Sequence, residues 1–177
     1  MRNKIILHAI IIALLSANVS LQTQAQNQAP AAFTNLMKLL GKWEGKATLM
    51  TGGQKHEFTY YVDFKKTADG SGLYMDEWFT DPQLGTLKGS NLVGYNSNDN
   101  KIHWFSVDNF GTAHDHLGVW KADNHFYMQA NEIQQKKKFL EKIDLVFKDD
   151  NTLEFALVSF LDNKEIEKGS AVFHRTE

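Results

Sequence analysis

His56-Glu57-Phe58-Thr59-Tyr60-Tyr61-Val62-Asp63-Phe64 alternates in character, with His56, Phe58, Tyr60, Val62 and Phe64 falling on one side of an extended chain. Successive side chains of a β-strand point to opposite faces, so this set lines a single sheet face. The same two-residue period returns in Phe139, Glu141, Ile143, Leu145 and Phe147, and in Leu153, Phe155 and Leu157. Turn-forming clusters separate such segments: Thr51-Gly52-Gly53, Ala68-Asp69-Gly70, Asp81-Pro82, 96–100, 108–111, Ala122-Asp123-Asn124, 131–135, Asp149-Asp150-Asn151 and Asp162-Asn163. These breaks divide the chain into ten strands, and no helix of convincing length interrupts them. Ten sequential strands on short turns form an antiparallel meander, which curls shut because closure removes its exposed edges. The expected fold is all-β, a ten-stranded antiparallel up-and-down barrel with a short N-terminal helix. Barrel diameter grows with strand number, so ten strands leave a cavity unless bulky residues fill it. With 4 Trp, 5 Tyr and 12 Phe, all after residue 25, a filled interior is the competing expectation.

Ahead of the strands, Phe33, Leu36, Met37 and Leu40 recur at helical spacing and stop at Gly41, which suits a left-handed C-terminal position. This reads as a short helix whose apolar face packs on the core as a plug. The Gln/Ala-rich stretch 26–32 reads as a flexible leader. Residues 1–25 read as a secretory signal peptide: Arg2 and Lys4 precede the apolar run Ile5 to Leu15, and a polar, small-residue segment ends at Ala25. That run is shorter than the roughly 20 residues a membrane-spanning helix needs, and no later run approaches that length. The expected organisation is therefore signal peptide 1–25, leader 26–32 and barrel domain 33–177, in a protein that is periplasmic or secreted after cleavage, without a membrane span.

Composition narrows the chemistry. The 177 residues are 42% hydrophobic and 23% charged, as in one globular domain. A net charge of −2 without a basic stripe argues against a nucleic-acid partner. The absence of cysteine excludes thiol catalysis, iron–sulfur ligation and cysteine-zinc sites, and leaves stability to the core and the sheet.

Leu39-Leu40-Gly41-Lys42-Trp43-Glu44-Gly45 joins the helix to the first strand and resembles the Gly-x-Trp motif that opens barrels of the calycin superfamily, which includes lipocalins and fatty-acid-binding proteins. Gly41 and Trp43 match. The resemblance implies that Trp43 closes one end of the barrel and that a basic residue on the last strand, here Arg175, packs across its indole, a structural contact. The segment from Phe105 to Gly118 is similar to segments of an uncharacterised group of secreted bacterial calycin-like proteins. A further relative is the nitrobindin-type haem barrel, a ten-stranded calycin with an iron-ligating histidine near its C-terminus; His174 is the position that corresponds.

His114-Asp115-His116 is the sharpest local signal, because positions i and i+2 of a strand share a face and two imidazoles there could hold a metal such as zinc. Such a site needs a third ligand, for which His103, His125, Glu77 and Asp76 are available. The competing readings are that the pair is hydrogen-bonded or solvated near a strand end, or that it anchors an organic ligand. Asp76 and Glu77 are adjacent and face opposite sides, which argues against paired acid/base work between them. Lys136-Lys137-Lys138 reads as a solvated loop or edge. No nucleophile elbow, His-Glu-x-x-His, phosphate-binding loop or Gly-x-Gly-x-x-Gly is present.

For a ligand inside the barrel, the candidate contacts are Tyr60, Trp78, Trp104, His114, His116, Trp120 and Tyr127. A register slip of one residue would exchange the faces. The function expected from these observations is binding of a small apolar or amphipathic molecule in the barrel cavity, with catalysis not indicated. The alternatives are a metal- or haem-binding barrel using His114/His116 or His174, and an interaction module of the cell envelope.

Overall fold

A computed structural model of the protein describes residues 30–177; the expected signal peptide and the expected leader up to residue 29 lie outside them. A short helix, α1 (Ala31–Thr34), continues as a 3-10 segment (Asn35–Leu39). It begins two residues before Phe33, inside the stretch expected to be leader, with Pro30 just ahead of its first turn. The tighter 3-10 winding, three residues per turn, aligns Phe33, Leu36 and Leu39, and all three are fully buried. Each such side chain removed from water contributes about 2 kcal/mol.

Ten strands follow: β1 (Gly41–Thr51), β2 (Gln54–Lys66), β3 (Leu73–Asp81), β4 (Gly85–Asn96), β5 (Lys101–Asp108), β6 (Ala113–Ala122), β7 (His125–Gln134), β8 (Lys137–Asp149), β9 (Thr152–Leu161) and β10 (Lys164–Arg175). Each pairs antiparallel with its sequence neighbours, and β1 pairs with β10 from Trp43↔Arg175 to Thr51↔Glu167, closing the barrel. The expected ten-stranded up-and-down barrel is the observed one. Among the described residues no helix is long and apolar enough to cross a membrane.

Each expected break is a turn, although the seventh is tighter than its sequence indicates: β7 runs to Gln134, and only Gln135 and Lys136 make the connection, both with positive φ. Gly52-Gly53 and Asp162-Asn163 are equally short and likewise left-handed at both positions, the backbone that two-residue hairpins demand. All three lie at the same end of the barrel. Lys137 and Lys138 belong to β8 and pair with β7, so they protect no sheet edge.

The other end is sealed. Trp43, 1% exposed, donates from Nε1 to the carbonyl oxygen of Leu39 at 2.7 Å, tying the first strand to the helical plug. Gly41, between them, has φ +107°, and a Cβ there would lie 2.4 Å from the carbonyl oxygen of Glu177. Only glycine fits both the turn and that approach. The Arg175 guanidinium covers Trp43, as the calycin resemblance implies, and donates to the carbonyls of Leu40, Lys38 and Asp150.

Candidate ligand-binding site

The inward faces of the strands surround a cavity of about 510 Å³. The alternating sets read from sequence point into the barrel: Phe58, Tyr60, Val62 and Phe64 of β2, Phe139 to Leu145 of β8, and Leu153, Phe155 and Leu157 of β9 all line the cavity. The aromatic residues do not fill it. Phe58 and Phe79 stack with ring centroids 3.9 Å apart, and Tyr60 meets Phe155 and Phe173 edge-on or tilted, so the rings form walls around the space. Lining residues reach Thr51, Leu84, Phe110, Thr112 and Gln134 at one end, whereas the plug residues Phe33, Leu36 and Leu39 take no part.

Within these apolar walls stands a connected polar array. The Tyr60 hydroxyl donates to Glu77, and the Asn91 amide donates to the other oxygen of Glu77 at 2.9 Å. Trp104 Nε1 donates to Asn91 Oδ1 at 2.9 Å, which sets the orientation of that amide. His116 continues the array: Nδ1 lies 3.3 Å from the carbonyl oxygen of Trp104, and Nε2 lies 2.7 Å from Glu141. Ser159 donates to the second oxygen of Glu141 at 2.9 Å. No buried side-chain nitrogen or oxygen among the described residues lacks a partner.

The two interior glutamates differ electrostatically. Burial pushes the Glu77 carboxyl above its usual range, against the hydrogen bonds from Tyr60 and Asn91. Burial acts upward on Glu141 too, but the hydrogen bond and charge of His116 and the Ser159 hydroxyl outweigh it and hold that carboxyl below the usual range. Burial and the Glu77 charge raise the Tyr60 hydroxyl well above the ordinary tyrosine range. At Glu167, higher in the cavity, burial and the Glu141 charge raise the carboxyl.

Of the candidate ligand contacts, Tyr60, Trp104, His114 and His116 line this cavity together. Three others do not. Trp78 is on the outer face, 39% exposed and stacked on Tyr61, because Glu77 and Phe79 take the inward phase of β3. Tyr127 is also outside, with the Lys121 ammonium 3.5 Å from its ring centroid, since Phe126 and Met128 hold the inward phase of β7. Trp120 does point inward but sits at the sealed end against Phe126 and Phe147, donating to the Ala32 carbonyl at 2.6 Å. It anchors the plug.

His114 and His116 share the inward face, with ring centroids 5.8 Å apart, yet each is already paired with its own carboxylate: His114 with Glu132 at 3.1 Å and His116 with Glu141. The suggested third ligands do not converge on them. His103 and His125 face outward onto Asp99 and Asp115 and onto Asp144, Asp76 bonds Tyr74 and Ser90, and Glu77 is held by Tyr60 and Asn91. Among the described residues no group of three His, Asp or Glu side chains is arranged to hold a metal ion. His174 is exposed on the outer face of β10, where Phe173 takes the inward phase, so it cannot reach a haem inside the barrel.

The site residues that sequence reasoning missed are Asn91, Glu141, Ser159 and Glu167, with Glu77 weighed only as a metal ligand and as an acid/base partner of Asp76. The signal for two of them was present. Glu141 interrupts the apolar phase Phe139, Ile143, Leu145, and Glu77 interrupts Leu73, Met75, Phe79; an acid in the buried phase of a strand is a polar group aimed at an interior.

No protein-family model matches the chain, and no curated protein matches its sequence. Among solved structures, an S-type phycobiliprotein lyase from Guillardia theta aligns with a TM-score of 0.60 at 11% identity, over 84% of this chain and 94% of its own. A protein of unknown function from the DUF3598 family, from Nostoc punctiforme PCC 73102, aligns with a TM-score of 0.48 at 12% identity, over 80% of this chain and 48% of its own. The likeness to the lyase is one of fold, the calycin-like barrel.

Proposed function

We propose that this protein is an exported binding protein that holds a small, partly apolar molecule in its barrel, and that it is not an enzyme. The observation that carries the reading is the cavity of about 510 Å³, within the range of small-molecule sites, whose aromatic and aliphatic walls enclose a few fixed polar groups. Affinity would come from apolar burial, roughly 25 cal/mol per Å², and orientation from Tyr60, Glu77, Asn91, His116 and Glu141. Glu77 and Glu141 each accept a hydrogen bond on both oxygens, the Ser159 hydroxyl being one of the donors to Glu141. Export rests on the N-terminal pattern of Arg2, Lys4 and the apolar run that follows, and mature protein recovered outside the cytoplasm should begin at Gln26.

The test is direct binding of N-phenyl-1-naphthylamine, a neutral apolar fluorophore, by the purified protein and by Leu157→Trp, which fills the cavity from β9. Saturable fluorescence enhancement by the wild type, weakened about tenfold in the variant, is expected. No enhancement, or an equal response from both proteins, overturns the reading.

A further inference from the structure

We propose that the cavity selects a cationic amphiphile, a molecule with an apolar body and an ammonium head, over a carboxylate of the same shape. This deepens, and rests on, the reading of the barrel as a binding protein. The observation is the charge inventory of the cavity wall, which contains Glu77, Asp108, Glu141 and Glu167 and neither lysine nor arginine.

Among the described residues, three of those four acids have no cationic partner. Glu77 accepts only from the Tyr60 hydroxyl and the Asn91 amide. Asp108 accepts from the backbone N–H groups of Phe110 and Thr112 and from the Thr112 hydroxyl. The Glu167 side chain has neither a hydrogen bond nor an ion pair among the described residues. Only Glu141 meets an imidazole, that of His116, and the remaining lining imidazole, His114, is taken by Glu132.

Charges that face one another across apolar walls are screened far less than charges in water. An anion entering this space would meet unbalanced carboxylates and no compensating donor of positive charge. A cation would relieve the mutual repulsion of Glu141 with Glu77 and with Glu167. The aromatic lining, Phe58, Phe79, Phe155 and Phe173, favours the same sign wherever a ring presents its face, since an aromatic ring attracts a cation there. The wall therefore offers apolar area to any hydrophobic tail and discriminates by the charge of the head.

Three probes of one chain length, decylamine, decanol and decanoate, separate the outcomes when each displaces N-phenyl-1-naphthylamine from the purified protein at neutral pH and low salt. Decylamine is expected to displace the fluorophore at about tenfold lower concentration than decanoate, with decanol between them. Glu167→Gln and Glu77→Gln should each narrow that ratio about threefold. Glu167→Gln removes no packing partner and serves if Glu77→Gln fails to fold. Decanoate equal to or better than decylamine, while decanol binds, overturns the charge selectivity and leaves the binding reading standing. An amine preference untouched by both substitutions overturns the assignment to these carboxylates. Failure of the fluorophore and all three probes to bind overturns the binding reading and this inference together.

Discussion

The guanidinium of Arg175 lies 4.1 Å from the centroid of the Trp43 ring, and the two residues are direct partners across the strand pair that closes the barrel. One contact therefore joins the first strand to the last at the end where the helical plug enters. Arg175 also ties that corner together by donating to carbonyls of Lys38, Leu40 and Asp150. Cation–π attraction of about 0.5–2 kcal/mol, added to charged hydrogen bonds, gives an expected loss of about 2–3 kcal/mol for Arg175→Ala in urea unfolding. Arg175→Lys should recover less than half, because an ammonium cannot reproduce the planar fork.

Gly118 makes room for Phe126. A Cβ at position 118 would lie 2.2 Å from Phe126 Cζ, and Phe126 is itself fully buried. Gly118→Ala should destabilise by about 1–3 kcal/mol through overpacking, and Phe126→Leu in the same chain should restore part of that loss. Urea midpoints of the two single variants and the double variant measure the coupling. Additive effects would contradict the contact.

The interior acids should give stability opposite dependences on pH. Glu77 is raised in the fold above its ordinary value of 4.5, so its contribution is fully present below 4.5 and is lost as pH rises through the raised value. Glu141 is lowered, so its contribution is present above 4.5 and is lost as pH falls through the lowered value. Relative to wild type, Glu77→Gln should gain stability as pH rises above 4.5, and Glu141→Gln should lose it as pH rises toward 4.5. Each change should be of order 1 kcal/mol, read from urea midpoints across the acid-to-neutral range.

Zinc should not discriminate between the wild type and His114→Ala/His116→Ala. Each imidazole faces its own carboxylate and no third ligand is in place among the described residues, whereas a structural zinc needs four tetrahedral donors. Calorimetric titration with zinc is the measurement, and tighter binding by the wild type would contradict this geometry.

The architecture was almost fully legible in the chain. A two-residue apolar period in β2, β8 and β9, turn-forming clusters between strands, and the Gly41-Lys42-Trp43 junction are local signals, and local signals survive in sequence. The site was legible in part. Tyr60 and the His114/His116 pair face the cavity, sharing a strand phase with unmistakable core residues or with each other. Trp78 and Tyr127 face outward, and sequence alone does not show this, since an aromatic residue packs equally well on either face of a sheet and only its neighbours decide which face is interior.

The amino-acid order alone specified ten short strands, their turns, the plug and the absence of cysteine chemistry, because each depends on residues near one another along the chain. Which carboxylates meet inside depended on the closed barrel: Glu77, Glu141 and Glu167 come from β3, β8 and β10, brought to one cavity by the shared curvature of ten paired strands. His116 is bonded to Glu141 across 25 residues of sequence, and no local pattern announces such a pair. Distance through space sets the interior charge, and distance along the chain carries no record of it.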